Sequence, residues 1–408
     1  MSGAALGVVK RLREGGYEAY IVGGAVRDSL LGGHPKDFDV ATNATPEQTK
    51  ALFRSARIIG RRFQIVHVRQ GREIIEVTTY RGHHDSDQAM PSSSKQSDKG
   101  LLLRDNVYGS LDDDARRRDL TVNAMYYDPE TETVLDQQNG LADIQARLIR
   151  IIGDPVTRYR EDPVRMLRVA RFSARLQFDL ESDTADAITL CAPLLGEIPA
   201  ARLFDEFLKL FMSGHAKSTF LLLCEFGLLH HLAPEAAYAI DQSERYKALV
   251  SAAMESTDQR VRKDRPVTPA FLLAALLWPA VQPRFEALKH AGDPPAQAMN
   301  SAGQQVTAET CLHMAIPKRF SLPMREIWEL QPKLERRQPK KINDMMSQRR
   351  FRAAYDLVLL REKAGEALDH CGDYWTEQQA SNPDIVGTAP PREDQNARPR
   401  RPRRRRRP

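Results

Sequence analysis

A double glycine and a pair of aspartates fall within one short stretch, Gly23-Gly24-Ala25-Val26-Arg27-Asp28 and then Asp37-Phe38-Asp39, and they dictate a strand, turn, helix, strand unit. Ala19-Tyr20-Ile21-Val22 reads as a short buried strand that runs into the glycines. Glycine at such a strand end permits a tight turn and a close backbone approach to a ligand, where a Cβ would collide. Arg27, near the start of the following helix, can offer its guanidinium fork to phosphate oxygens. In Lys36-Asp37-Phe38-Asp39-Val40, strand alternation puts Phe38 and Val40 on the core face and both aspartates opposite. Adjacent carboxylates repel unless a cation separates them, so Asp37 and Asp39 suit Mg²⁺ shared with substrate phosphates. A lone Gly-Gly is usually a turn and a lone Asp-x-Asp a solvated strand end. In this order and spacing they point to metal-dependent nucleotidyl transfer. No Walker A phosphate loop is present, which argues against a P-loop ATPase.

The same reading continues through the first third of the chain. Thr45-Pro46-Glu47 opens a helix that should end near Phe53. Gln64 to Val68 and Ile74 to Thr79 are strand-like runs joined by a hairpin at Gln70-Gly71. Along the second run Glu76 faces away from Ile75 and Val77, a candidate third carboxylate or an ordinary exposed glutamate. His83 to Gly100 is polar and reads as a mobile loop, with His84-Asp85 inside it taken as solvent-exposed. Arg116-Arg117-Arg118-Asp119-Leu120-Thr121-Val122-Asn123 reads as the start of a helix, where Arg118, Asp119 and Asn123 could hold phosphates and ribose. Tyr159 to Arg168 opens a long helix with Pro163 in its first turn. There Asp162 and Arg165 could meet the edge of a base, with Arg168 one turn on, although an i, i+3 surface ion pair looks the same.

From about residue 175 the pattern is all helical. Phe204, Phe207, Leu208 and Phe211, and later Phe351, Tyr355, Val358 and Leu359, keep the spacing of a buried stripe. Pro266, Pro269, Pro279 and Pro283 should break the intervening region into short helices, and His230-His231 should pack or cap. The net charge of +6 is concentrated at one end, since Arg392 to Pro408 holds nine arginines against Glu393 and Asp394. Without that tail the chain sits near −1, so the tail, expected to be disordered, is a polyanion-binding element. Cys191, Cys224, Cys311 and Cys371 are widely spaced and read as reduced thiols. No apolar run approaches the roughly 18 residues of a membrane span and no secretory leader is evident, so a cytoplasmic protein is expected.

The ordered set Gly23 to Asp28, Asp37 to Asp39, Arg117 to Ala124, Asp136 to Asp143 and Glu161 to Arg165 resembles the class II tRNA nucleotidyltransferases and bacterial poly(A) polymerases. The resemblance covers roughly residues 15 to 230 and rests on several motifs in sequence. It implies an α+β fold: a polymerase-β-like head over residues 1–145, a helical neck over 146–215, a helical, RNA-binding body and tail over 216–375, and the basic segment 376–408. The implied head, neck, body and tail are arranged like a seahorse. By position, Asp37 and Asp39 would hold the metals, with Glu76 a candidate catalytic carboxylate beside them. Gly23, Gly24 and Arg27 would hold the triphosphate, and Arg118, Asp119 and Asn123 phosphate or ribose. Asp162 and Arg165 match the neck pair that reads the incoming base in CCA-adding enzymes, with Arg168 beside them.

Ile58 to Val68, Leu103 to Gly109 and the arginine tail are similar to the poly(A) polymerase branch. One departure is the short N-terminus, which leaves little room for a leader helix ahead of the head. The resemblance implies template-independent addition of AMP from ATP to RNA 3′ ends, with Mg²⁺, by a monomer that could meet RNA-decay or RNA-chaperone proteins. A CCA-adding tRNA nucleotidyltransferase is the alternative. A catalytically idle RNA-binding adaptor is a third possibility, opposed by the intact Asp37, Asp39 and Arg27.

Overall fold

The computed structural model describes residues 1–60, 64–82, 94–96, 102–105 and 108–388. Arg61, Arg62, Phe63, His84, Asp85 and the arginine tail lie outside the described residues. The chain divides into two compact units. The first comprises Met1–Ala237, Met254–Val267 and Thr310–Ala315.

Helix α1 (Gly3–Glu14) starts at Ser2, whose hydroxyl accepts from the Ala4 amide, and buries Ala5, Val8, Val9 and Leu12. That i, i+3, i+4, i+7 stripe lies against a seven-stranded sheet. Its strands are β1 (Ala19–Val22), β2 (Asp39–Thr42), β3 (Ala56–Ile59), β4 (Ile65–Gln70) and β5 (Glu73–Thr79). A separate ribbon, β6 (Ser94–Gln96) with β7 (Leu102–Asp105), follows before β8 (Met125–Asp128) and β9 (Thr133–Asp136) complete the sheet. The order is β3-β4-β5-β2-β1-β8-β9, antiparallel except for the parallel pair β2–β5. Thus β6 corrects the expected loop over 83–100 at three of its residues. The hairpin at Gln70-Gly71 is present, with Gly71 at φ +60°.

Phe38 and Val40 are buried while Asp37 and Asp39 are exposed, as alternation requires. Helices α2 (Gly24–Leu30) and α3 (Pro46–Leu52) flank β2, and Thr45 caps α3 in a capping box with Gln48.

The arginine cluster falls differently from expectation. It ends a helix, α4 (Leu111–Arg117), which Ser110 caps and which carries Asp112, Asp113 and Asp114 in its first turn. Acids at the start and Arg116-Arg117 at the end both complement the helix dipole, so the helix belongs before the cluster. Thr121–Asn123 is a single 3₁₀ turn, and the β-prone Met125-Tyr126-Tyr127 then joins the sheet beside β1.

Helix α5 (Gly140–Ala146) leads to β10 (Leu148–Ile149), which pairs in parallel with β11 (Asp179–Leu180). Between them, α6 (Pro155–Glu161) and α7 (Val164–Leu176) meet at Asp162-Pro163. Pro163 starts the expected long helix, α7, while Tyr159, Arg160 and Glu161 belong to the preceding α6, with Asp162 extended at the break. Helices α8 (Ser182–Cys191) and α9 (Ala200–Phe211) follow, and α9 buries Phe204, Phe207 and Phe211 with Leu208 half-buried.

The second unit, Tyr238–Ala253, Thr268–Glu309 and Ile316–Pro408, is helical in its described residues. Its helix Pro269–His290 carries Pro279 and Pro283 inside it, which corrects the expected break at those prolines. Each proline forfeits a helical hydrogen bond, but burial of Leu272, Leu273, Leu276, Leu277, Trp278 and Val281 outweighs that loss. Trp328 Nε1 donates to the Ala274 carbonyl, and Arg361 lies 4.6 Å from the Trp278 ring centre. None of the four cysteines is in a disulfide. No helix among the described residues is long and apolar enough to cross a membrane.

Candidate active site

Strand β1 ends at Val22 and runs into Gly23, whose φ of +79° is a conformation that L side chains rarely adopt. A Cβ there would lie 3.6 Å from Arg118 Nη1 and 3.7 Å from the Asn123 carbonyl, so the glycine keeps the turn close to both. The neighbouring strand β2 begins at Asp39, which sits in register with Val22 on one side and Glu76 on the other. Crowding around the groove raises the Asp39 pKa to about 6, Glu76 and then Asp37 add to the rise, and Arg118 opposes it. Glu76 itself is half exposed and lies 3.2 Å from His67 Nε2. Among the described residues no three acidic, histidine or cysteine side chains converge as a ready metal cage. Asp37 and Asp39, which line one groove, offer oxygen donors only, the donor set that suits a hard divalent cation.

Behind the glycine turn runs a chain of charged contacts. Arg27 is 1% exposed and donates from Nε and Nη2 to Asp28 Oδ1, at 2.8 and 2.6 Å. Its Nη1 donates to Asn123 Oδ1. Asn123 in turn donates to Asp119 Oδ1 at 3.5 Å, and Asp119 Oδ2 accepts from Arg168 Nε at 2.6 Å. Burial works against the Asp119 carboxylate, but Arg168 and the Leu120 amide outweigh it and hold the pKa near 2. Asp28 Oδ2 also pairs with Arg175 at 2.8 Å, which links α2 to α7. Three of the five N–H groups of Arg27 are thus engaged within the protein, and its guanidinium packs over Phe172 at 5.0 Å.

Arg118 is clamped as firmly. Its Nε donates to Asp114 Oδ2 and to the Tyr126 hydroxyl, at 3.2 and 3.0 Å. Burial favours the neutral form, yet Asp114 and then Tyr126 keep Arg118 above its usual value and charged. Tyr126 completes the triangle by donating to Asp114 Oδ2 at 2.6 Å.

Two grooves open here. One, of about 530 Å³, is lined by Gly23, Gly24, Arg27, Asp37, Asp39 and Asn123. The other, of about 640 Å³, is lined by Asp162, Arg165, Arg202, Asp205, Glu206 and Lys209. Arg118, Asp119 and Arg168 line both, so the two are halves of one path. In the second half Arg202 Nη2 donates to Asp162 Oδ2 at 2.7 Å, while Asp162 Oδ1 is buried without a hydrogen-bond partner among the described residues. Arg165 Nη1 donates to the Arg158 carbonyl and to Glu161 Oε2, at 2.8 Å each.

All the candidate residues read from sequence line this path except Glu76, which meets it only through its register with Asp39. Sequence reasoning missed Asp28, Asp114 and Tyr126, which hold the two arginines, and the polar face of α9. Arg202, Asp205, Glu206 and Lys209 stand at i, i+3, i+4 and i+7, opposite the phenylalanine stripe, and that spacing was the available signal.

Comparison with known proteins gives three family models: "Poly A polymerase head domain" over residues 19–150, "Probable RNA and SrmB- binding site of polymerase A" over 177–240, and "Polymerase A arginine-rich C-terminus" over 291–408. The chain is 44% identical over 384 residues to Poly(A) polymerase I of Salmonella typhimurium, covering 93% of this chain and 83% of that protein. It is 40% identical over 229 residues to the CCA-adding enzyme of Geobacillus thermodenitrificans, covering 56% of this chain and 54% of that one. It is also similar to the crystal structure of the Bacillus stearothermophilus CCA-adding enzyme with CTP: TM-score 0.63, 27% identity, 95% of this chain and 85% of that chain.

Proposed function

The chain belongs to the bacterial poly(A) polymerase I family, and from that premise we propose that it extends RNA 3′ ends with AMP from ATP along the groove that runs from Asp39 to Asp162. It is a nucleotidyltransferase, with the α+β head and helical remainder of that family. In sequence the CCA-adding relatives match about half of the chain, whereas Poly(A) polymerase I matches 93% of it, and the arginine-rich C-terminal model covers residues 291–408.

The observation that carries the proposal is the shared wall of Arg118, Asp119 and Arg168 between an acidic, glycine-turned half and a half that holds Asp162 and Arg165. The triphosphate would lie in the first half against Gly23, Gly24 and Arg27, with Arg118 near the ribose end, Asn123 fixing Arg27 and Asp119 holding Asn123 and Arg168. The base would lie in the second, where Asp162 Oδ1 offers an acceptor to an exocyclic amine and Arg165 a donor to a ring nitrogen. The RNA 3′-oxygen attacks the α-phosphorus of ATP, the new P–O bond replaces the one to the β-phosphate oxygen, and pyrophosphate leaves. A divalent cation held by Asp37 and Asp39, Mg²⁺ by its oxygen donors, would acidify the attacking hydroxyl and neutralise charge on the phosphates. Glu76, beside Asp39, raises the negative potential that recruits that cation.

The head over 1–145, neck over 146–215 and body and tail over 216–375, with 376–408 as basic tail, remain our division of labour, supported by the head model over 19–150. ATP and RNA 3′ ends are cytoplasmic, and we place the protein there, acting as a monomer that could meet RNA-decay or RNA-chaperone proteins. The decisive assay is primer extension by purified protein, with each nucleotide alone and then CTP with ATP, on a generic RNA and on a tRNA lacking CCA. Long ladders with ATP alone on the generic RNA support the proposal. Addition confined to the tRNA and ending at CCA would overturn it.

A further inference from the structure

The helix Lys318–Arg336 ends in the basic run Lys333-Leu334-Glu335-Arg336-Arg337-Gln338-Pro339-Lys340-Lys341. Arg337 closes the helix in the left-handed region, at φ +46°, and a 3₁₀ turn over Pro339–Lys341 leads into the helix Ile342–Ser347. Where these elements meet, a cleft of about 200 Å³ opens between Pro295, Ala296, Pro332, Met345 and Trp375. Its Trp375 lining is rigid: the residue is 1% exposed, and the indole N–H donates to the Leu334 carbonyl at 3.0 Å. Lys333, Arg336 and Lys341 stand on its rim, with Lys340 next to them in sequence.

These cations are exposed, and none of the four has an ion-pair partner among the described residues. Glu335, the one carboxylate within the run, is taken by the buried Arg361 at 2.8 Å. Arg337 is also engaged, donating to the carbonyls of Leu368 and Asp369. The run therefore presents four uncompensated positive charges around a small apolar opening. Its volume is below the roughly 300–1,000 Å³ of drug-sized sites and is of the order of one flat ring.

We propose that this cleft is a single-stranded RNA subsite, holding one unpaired base against the partly exposed Pro295 and Met345, above a buried floor of Pro332 and Trp375, and the flanking phosphates on Lys333, Arg336, Lys340 and Lys341. RNA supplies in one repeating unit both things the site asks for, an anionic oxygen and a flat apolar face. The chain's own arginine tail is excluded as occupant by like charge. The proposal rests on RNA being the substrate, and the extension assay above tests that reading separately.

The test compares full-length protein with two variants, using fluorescein-labelled A20 as probe across a salt series. One variant neutralises the rim (Lys333→Gln, Arg336→Gln, Lys340→Gln, Lys341→Gln). The other, Ala296→Glu, alters only an exposed residue at the mouth. The tail is identical in all three, so differences report the cleft. Neutralising the rim should weaken A20 binding about tenfold or more near 150 mM salt. It should also lower the slope of log K against log salt by up to about 3, at roughly 0.7 per lost phosphate contact. Ala296→Glu should weaken binding without that full loss of slope. With either variant the KM for RNA should rise, while kcat on saturating primer and the KM for ATP stay put. Unchanged affinity and slope in both folded variants would overturn the proposal. So would displacement of A20 by polyglutamate that is equally effective on rim-neutralised and unaltered protein, since that would place the RNA elsewhere.

Discussion

Asp39 and Glu76 are cross-strand partners at the start of the parallel pair β2–β5, so two carboxylates from different strands share one end of the sheet. Hairpin geometry fixes this register, because β5 is also aligned with β4 by pairing His67 with Glu76. A sheet that places like charges side by side stores repulsion that a bound cation relieves. Burial first, and repulsion from Glu76 second, push the Asp39 pKa up to about 6.

Asp39→Asn should abolish AMP addition, by a thousandfold or more, and still fold. The sign of its stability effect follows from linkage. A carboxyl whose folded pKa lies near 6, above the unfolded 3.8, binds its proton more tightly when folded, so stability falls as pH rises from 4 to 6. At pH 7 in chelator the asparagine variant should therefore be more stable, by about 1 kcal/mol once the exposure of the site is allowed for. Thermal melts with and without Mg²⁺ check this. Equal stability in chelator, or retained activity, would remove the metal-site argument.

Asp119 and Arg168 behave in the opposite sense. The Asp119 pKa near 2, against 3.8 unfolded, contributes about 2 kcal/mol that is fully present above pH 4 and lost as pH falls through 2. Arg168→Met should cost about that much at pH 7, and its penalty should shrink progressively below pH 4. Urea unfolding at several pH values measures it. A penalty independent of pH would mean that packing, and not this ion pair, is what Arg168 supplies.

Strand alternation made Asp37, Phe38, Asp39 and Val40 legible, because one buried face leaves no other register. The glycine turn was legible for a similar reason, since few residues accept the φ of Gly23. The arginine cluster was misread because Arg116 to Arg118 could open one helix or close another, and the acids that decide it, Asp112 to Asp114, stand upstream. Prolines 279 and 283 misled for want of tertiary information, as burial of a whole helix overrides a local breaker. The partners of Arg27 and Arg118 were illegible, because Asn123 and Tyr126 reach them only through the fold.

The arginine tail makes a separate prediction, argued from charge alone because it lies outside the described residues. Deleting residues 398–408 removes eight arginines and should weaken binding to generic RNA, most at low salt, with the salt slope falling by roughly 0.7 per lost contact. The rate on saturating primer should hold. An unchanged RNA affinity at low salt would sink the assignment.

Arg202 offers the sharpest test of the base-facing half of the groove. Its bond to Asp162 Oδ2 fixes the plane of that carboxylate and leaves Oδ1 without a hydrogen-bond partner among the described residues. A carboxylate held this way can satisfy an exocyclic amine in one position only. Released, it can rotate and accept from bases of other shapes. Arg202→Ala should therefore raise the KM for ATP several-fold and narrow the preference for ATP over CTP, on the order of 1–2 kcal/mol for one charge-assisted hydrogen bond. Single-nucleotide extension with each nucleoside triphosphate measures both effects. Should the variant lose kcat on ATP while keeping its discrimination, Arg202 would be supporting the fold of the groove and not the choice of base.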